Sequence, residues 1–113
     1  MQQVSLKNKH DSMSGEIWSI NNKKSLGHKA QIKRKKNNKI EYVSFTHSDI
    51  THRVKNIELQ SNPDPTDKDN SHVLKKRFNG NINHLGKYQS NMKVTDPVDK
   101  SIIRRIMKHG KIK

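Results

Sequence analysis

The chain has 113 residues, enough for one small domain, and only 28% of them are apolar, which is close to the range of disordered proteins. We therefore expect a core that uses nearly every large apolar side chain. There is no cysteine, which excludes a disulfide framework, a thiolate metal site and a cysteine nucleophile.

Positive charge dominates the chain, with 24 lysine and arginine residues against 10 acidic ones and a formal net charge of +14. The charges run from Lys7 to Lys113 instead of forming one tail. Such a field attracts polyanions, so nucleic acid is the expected partner, with a plain basic surface or an acidic protein partner as alternatives. No apolar run is long enough for a signal peptide or a membrane span, so we expect a cytoplasmic protein without membrane contact.

The N-terminal part predicts one strand after a polar lead-in. Residues 1–13 show no hydrophobic period, and we expect them to be disordered, with the domain beginning near Gly15. Residues 16–20 have strand composition, with Trp18 and Ile20 on one face. Residues 21–26 then predict a loop.

Residues 27–48 contain two β-type runs and are the centre of the functional hypothesis. Ala30 and Ile32 alternate with polar residues in the first run, whereas the apolar residues of the second, at 40–45, do not alternate strictly, as expected for a central strand. Residues 35–39 form a basic turn between the runs. Pairing the runs as a hairpin brings residues 27–29 beside residues 46–48 at one rim of the sheet.

The remainder predicts further strands and one helix. A polar connection at 49–53 leads to a predicted strand at 54–59 with Ile57 and Leu59 inward. A long exposed loop at 60–70 follows, and then a strand at 71–78 that ends in a turn at Asn79-Gly80. The segment around Ile82 and residues 85–87 predicts an edge strand or a half-turn. Asp96 as N-cap, Pro97 at the first position and Gly110 at the end predict a helix over about 97–108. Its apolar stripe should dock on the sheet, or form a dimer interface, and consists of Val98, Ile102, Ile103, Ile106 and Met107.

Several short segments also carry a family resemblance. They are Gly-Glu-Ile-Trp at 15–18, Gly-His-Lys-Ala-Gln-Ile at 27–32, Val-Ser-Phe-Thr-His-Ser at 43–48, Ser-His-Val-Leu-Lys-Lys-Arg at 71–77 and Leu-Gly-Lys at 85–87. In this order they resemble the MazF/PemK-like toxin family over about residues 14–110. The resemblance implies a mainly β fold, a small SH3-like barrel of five to six antiparallel strands with a C-terminal α-helix. One departure is clear, because His28-Lys29 stands where that family has an Arg-Pro pair whose arginine is implicated in catalysis.

The resemblance implies that the protein cuts single-stranded RNA without a metal, using the 2′-hydroxyl of the substrate as nucleophile. That reaction needs a base, an acid and a cation or donor for the phosphate. We expect His28 to be the base or acid, Lys29 to hold the phosphate, and Thr46 and Ser48 to donate hydrogen bonds to it. His47, His52 and Arg53 are in reserve as the second proton carrier and the second cation.

Other residues are expected to bind nucleic acid, RNA in preference to DNA: Lys33, Arg34, Tyr42, His52, Arg53 and Arg77. We expect no cofactor and no metal, because the nearest histidine pair, His47 and His52, lacks a second pair and carboxylates are scarce nearby in the sequence. An acidic antitoxin protein and a second copy of the chain are further expected partners. As an alternative, the chain is a non-catalytic basic nucleic-acid-binding accessory protein of a mobile element. A third possible function is that of a binding module for an acidic protein.

Overall fold

The computed structural model describes residues 7–21 and 28–113, and its regular elements are mostly β-strands. The strands are β1 (Ile17–Ile20), β2 (His28–Lys36), β3 (Lys39–Thr46), β4 (Ile50–Thr51), β5 (Val54–Lys55), β6 (Ile57–Glu58), β7 (His72–Asn81) and β8 (Leu85–Tyr88). One helix, α1 (Pro97–His109), follows them. Two 3-10 turns lie at Lys9–Asp11 and Ile82–His84. No helix in the described ranges is long and apolar enough to cross a membrane.

Six strands form one antiparallel sheet in the order β6-β7-β3-β2-β1-β8. The mainly β architecture with a C-terminal helix is therefore confirmed. β3 lies between β2 and β7, which confirms the central position predicted from the lack of strict alternation in its apolar residues. β4 and β5 form a separate small hairpin.

The two faces of the sheet carry two separate hydrophobic clusters, because successive side chains of a strand point to opposite faces. Trp18 and Ile20 share one cluster, as predicted, while Ile17 belongs to the other. The cluster against α1 contains Ile17, Val43, Phe45, Leu59, Val73, Val94, Ile103 and Ile106. The opposite cluster contains Trp18, Ile20, Ala30, Ile32, Ile40, Tyr42, Ile82 and Leu85.

The turn between β2 and β3 is shorter than the predicted 35–39. The strands continue to Lys36 and Lys39, which pair with each other, and leave only Asn37 and Asn38 in the turn. Asn37 has a left-handed backbone with φ 56, a conformation that asparagine tolerates better than most residues. The two asparagines, rather than the lysines, therefore form the turn of the hairpin.

The single strand predicted at 54–59 is wrong. It divides at the buried Asn56, so that β5 pairs with β4 and β6 pairs with β7. The Asn56 side-chain amide donates to the Ser48 carbonyl oxygen at 3.0 Å and to Thr51 Oγ1 at 2.8 Å. The buried polar side chain of Asn56 thus interrupts the strand by bonding to the preceding loop, while Leu59 is buried in the core as predicted.

The turn predicted at Asn79-Gly80 is also wrong, because β7 runs on through both residues and pairs them with Glu41 and Ile40. A Cβ at Gly80 would lie 3.2 Å from Cε1 of Tyr42, so the glycine makes room for that ring. The segment beyond it contains both structures considered, the 3-10 turn and the edge strand β8.

The helix begins and ends as predicted. The Asp96 side chain accepts hydrogen bonds from the backbone N–H of Val98 and Asp99, and Gly110 closes the helix with φ 82. The apolar stripe is correct for Ile103 and Ile106 but wrong for Val98, which is 53% exposed. The buried residue of the first turn is instead Asp99, which accepts the N–H groups of Gln60 at 2.8 Å and Ser61 at 3.1 Å. The first turn therefore faces a loop rather than the sheet.

Part of the predicted lead-in, residues 1–6, lies outside the described residues, as do residues 22–27 of the predicted loop and rim. Residues 7–13 lie next to the sheet. Lys7 forms an ion pair with Glu16, and Ser12 is buried.

Candidate functional site

The hairpin brings the expected catalytic residues together at one end of β2 and β3. Lys29 pairs with Phe45, and continuation of that register places His28 opposite Thr46. A cavity of about 290 Å³, here called the rim cavity, lies at this end. All five residues expected to act in catalysis line it: His28, Lys29, Thr46, His47 and Ser48.

The opposite wall of the rim cavity comes from the loop at residues 60–70, through Asn62, Asp64 and Asp67. The loop folds over the rim because Asp99 holds its first residues and Asn62 holds its far end, donating from Nδ2 to the Asp69 carbonyl oxygen at 2.7 Å. The sequence predicted an exposed loop without a role in the site. The three polar wall residues are therefore an addition from the structure.

His47 and Asp67 form the closest polar contact across this cavity. Their Nε2 and Oδ2 atoms are 2.7 Å apart. The pKa of Asp67 is lowered from its usual 3.8, first by the hydrogen bond from the backbone N–H of Asp69 and then by that from His47. A charged carboxylate that orients an imidazole is a common arrangement in general acid–base catalysis.

The turn that carries Thr46 and Ser48 is fixed from two sides. Thr46 Oγ1 accepts a hydrogen bond from the Ser48 N–H at 3.2 Å. The Asn56 side-chain amide donates a hydrogen bond to the Ser48 carbonyl oxygen. Asn56 N also donates to the carbonyl oxygen of Asp49 at 2.7 Å. The two hydroxyls therefore belong to an ordered turn at the cavity wall.

Carboxylates that are distant from His47 in the sequence lie close to it in the fold, because the loop at 60–70 supplies them. His47, Asp67 and Asp69 each offer one ligand atom, and these atoms lie within 4.8 Å of one another. One imidazole and two carboxylates could hold a divalent cation. A cation bound to Nε2 of His47 would replace its hydrogen bond to Asp67.

A second cavity, of about 280 Å³, adjoins the rim cavity and contains two of the expected nucleic-acid-binding residues, Tyr42 and His52. We call it the aromatic cavity; it is lined by Ile20, His28, Tyr42, Ser44, Thr46, Thr51, His52, Leu74, Phe78 and Asn79. The Tyr42 and Phe78 rings are stacked, with centroids 5.8 Å apart and planes inclined by 21°. Burial raises the pKa of the Tyr42 hydroxyl.

A third cavity, of about 630 Å³, lies at the far end of the hairpin and contains Arg34 and Arg77. We call it the basic cavity; it is lined by Arg34, Lys36, Asn37, Asn38, Lys39, Ile40, Glu41, Arg77, Asn79, Gly80 and Asn81. Thus the expected nucleic-acid-binding residues are not all close to the expected catalytic ones.

Glu41 forms ion pairs with three of the residues expected to bind nucleic acid. Its carboxylate lies 2.6 Å from Arg34 Nε, 3.0 Å from Arg77 Nε and 3.8 Å from Lys33 Nζ. The hydrogen bond from Arg34, with the charges of Lys33 and Arg77, lowers the pKa of Glu41 from its usual 4.5. Arg77 also donates to the Met107 carbonyl oxygen near the helix end, so it has a clear structural role.

Two further histidine-containing features lie beside these cavities. His52 and Arg53 form the tip of the β4–β5 hairpin, both with left-handed backbone, at φ 50 and φ 67. His72 is the cross-strand neighbour of Thr46 and is buried, and its Nδ1 has no hydrogen-bond partner in the part of the chain that the structure describes. The sequence placed His72 in a strand but gave no sign of its proximity to Thr46.

Comparisons of the chain with protein-family models, curated proteins and solved structures found no match. Any functional conclusion therefore depends on the residues of the chain itself, and above all on the three cavities along β3.

Proposed function

We propose that the protein is a MazF/PemK-like endoribonuclease that cuts single-stranded RNA in the rim cavity without a metal, by attack of the substrate's 2′-hydroxyl. The proposal includes an SH3-like barrel formed by the six-stranded sheet. It also includes an acidic antitoxin and a second copy of the chain as partners. The observation that carries it is the presence of two histidines, a lysine and two hydroxyls around one cavity, with one histidine oriented by a carboxylate.

The His47–Asp67 pair suits the first proton transfer. When His47 donates Nε2–H to Asp67, its Nδ1 carries the lone pair and accepts the proton of the 2′-hydroxyl. The 2′-oxygen then forms a bond to phosphorus and the bond to the 5′-oxygen breaks. His28 in its protonated form gives a proton to that leaving oxygen, and the products are a 2′,3′-cyclic phosphate and a 5′-hydroxyl.

Charge stabilisation in this mechanism comes from the other rim residues. Lys29 and the hydroxyls of Thr46 and Ser48 line the cavity where negative charge develops on the phosphate oxygens. Two carboxylates, Asp64 and Asp67, oppose phosphate binding locally. The net charge of +14 supplies the long-range attraction that offsets them.

The second candidate is a non-catalytic basic nucleic-acid-binding accessory protein. It is supported by the His28-Lys29 pair in place of the family's Arg-Pro and by the wide distribution of positive charge. Its binding would depend on salt but would leave the RNA intact.

The deciding experiment is incubation of the purified chain with single-stranded RNA in EDTA, with analysis of the new RNA ends. We expect cleavage that leaves cyclic phosphates and is lost in His28→Ala. The matched control is His109→Ala, at the exposed end of α1, which should cleave normally. Intact RNA with salt-sensitive binding would support the accessory role instead. Intact RNA without binding at low salt would contradict both functions.

A further inference from the structure

We infer that the aromatic cavity is a slot for one unpaired nucleobase, and that the three cavities together form a path for single-stranded RNA along β3. The inference rests on the RNA-directed part of the proposed function but not on cleavage.

Neighbouring cavities share lining residues. His28 and Thr46 line both the rim cavity and the aromatic cavity. A nucleotide with its phosphate in the rim cavity can therefore place its base in the aromatic cavity, with these two side chains at the sugar between them. Asn79 in turn lines both the aromatic cavity and the basic cavity.

The lining of the aromatic cavity suits a base. Ile20, Leu74 and Phe78 provide apolar surface, while Ser44 and Asn79 offer hydrogen-bonding groups to the edge of a ring. The cavity volume of about 280 Å³ lies just below the ~300–1,000 Å³ typical of sites for drug-sized ligands, as expected for a smaller group. Its lining contains no carboxylate among the described residues, in contrast to that of the rim cavity.

Phe78 is the residue on which we expect the base to stack. One side of its ring is stacked with Tyr42, and the Lys76 ammonium lies 5.7 Å from the ring centroid. A base that stacks on Phe78 displaces the Lys76 ammonium from the ring. The displaced ammonium can then contact a phosphate at the edge of the aromatic cavity. Exchange of a cation–π contact for base stacking is compatible with sequence-tolerant binding of single strands.

The β4–β5 hairpin supplies the remaining wall. Its tip uses His52 and Arg53 in left-handed conformations, where asparagine and glycine are usual. Such strained residues are concentrated at functional sites, and His52 lines the aromatic cavity directly. The hairpin tip therefore places the His52 imidazole at the aromatic cavity, and the left-handed backbone there lowers the stability of the fold.

The basic cavity continues the path. Lys36 and Lys39 are exposed there, and with Arg34 and Arg77 they outnumber the single carboxylate of Glu41. β3 has 8 residues, about 25 Å of strand, which suits a short single-stranded segment of about four nucleotides. Two lysines of the basic turn, Lys36 and Lys39, would thus lie at the end of the inferred path.

The first test changes the ligand and leaves the protein intact. A labelled hexanucleotide whose 2′-hydroxyls are replaced by fluorine cannot be cut, and its affinity is measured by fluorescence anisotropy in EDTA. One base at a time is then removed to leave an abasic sugar. We expect removal at one position to weaken binding by about five- to a hundredfold and removal elsewhere to change it much less.

The second test changes the protein. Phe78→Leu should lose the dependence on the critical base, while Phe78→Tyr should retain it; circular dichroism verifies that both are folded. Replacing Lys36 and Lys39 by glutamine should lower the slope of log affinity against log salt by about 0.7 per lost phosphate contact. The matched control replaces Arg105 and Lys108, exposed on α1, and should leave that slope nearly unchanged.

The outcomes separate this inference from the nuclease proposal. An equal response to abasic sugars at every position, or equal salt slopes for the two double variants, overturns the path even if RNA is cut. A position-specific response with RNA that stays intact supports the path and contradicts the nuclease.

Discussion

Nε2 of His47 lies 2.7 Å from Oδ2 of Asp67, a contact between residues 20 positions apart that joins the end of β3 to the loop at 60–70. It places His47, which the sequence analysis holds in reserve, beside a carboxylate that orients its ring in the rim cavity. The carboxylate side chain is only partly covered, with 25% exposed, so its effect on His47 is smaller than in a fully buried pair.

The first prediction concerns this pair. His47→Ala should lower the rate of RNA cleavage by about 10²- to 10⁴-fold, the usual contribution of a positioned general base. Asp67→Asn should keep the geometry but lose the charge, and it should slow cleavage by about tenfold to a hundredfold, less than in buried triads. Single-turnover cleavage measures both, with Asp49→Asn, an exposed carboxylate outside the pair, as the control. Equal rates for Asp67→Asn and the unaltered chain would remove Asp67 from the mechanism.

The second prediction concerns added metal. Zn²⁺ or Mn²⁺ should inhibit cleavage, because ligation of His47 by a cation held with Asp67 and Asp69 removes the base. Asp69→Asn should reduce this inhibition while cleavage in EDTA continues, since Asp69 supports Asp67 through its backbone N–H. Cleavage that requires added metal would contradict both this prediction and the metal-independent mechanism.

The hairpin and its rim could be predicted from the sequence because their signals are local. Alternation at Ala30 and Ile32, a polar turn and a second β-rich run together determine the pairing of β2 with β3. Once that pairing is known, the approach of residues 28–29 to residues 46–48 follows from antiparallel geometry. All five residues expected to act in catalysis therefore line one cavity.

Two of the errors lie where a buried polar side chain bonds to the backbone of another segment. Asn56 divides a predicted strand by bonding to the Ser48 carbonyl oxygen, and Asp99 takes the buried place expected for Val98 by capping two N–H groups of a loop. Such bonds join residues 8 and 39 positions apart and leave no hydrophobic period. The loop wall with Asp67 was missed for the same reason.

The third prediction concerns the strained hairpin tip. Replacing His52-Arg53 by Asn-Gly should stabilise the fold by about 1 kcal/mol, because these residues adopt left-handed conformations at lower cost. The same change should weaken RNA binding, since it removes an imidazole from the aromatic cavity and a positive charge beside it. Urea unfolding and fluorescence anisotropy measure the two effects. Weaker binding without a gain in stability would show that the backbone at the tip is not strained.

The fourth prediction tests the anchor of the loop wall. Asp99→Ala removes the acceptor of two N–H groups at a side chain that is 1% exposed, and should destabilise the fold by about 2–4 kcal/mol. Loss of the half-buried N-cap in Asp96→Ala should cost about 1 kcal/mol and provides the comparison. Urea unfolding followed by the fluorescence of buried Trp18 measures both. If the two variants are equally stable, Asp99 does not anchor the loop.

The fifth prediction concerns the pH dependence of the Glu41 cluster. Because its cationic partners lower the pKa of Glu41 below 4.5, the stabilisation is present above the unfolded pKa of about 4.5 and is lost as the pH falls through the lower folded pKa. Glu41→Gln should thus be less stable by about 1 kcal/mol at neutral pH, and the difference should shrink in acid. Urea unfolding from pH 7 to pH 3 measures it, with Glu58→Gln, at the exposed residue of β6, as the control. A difference that stays constant down to pH 3 would mean that hydrogen bonding, which glutamine retains in part, and not charge, sets the contribution of Glu41.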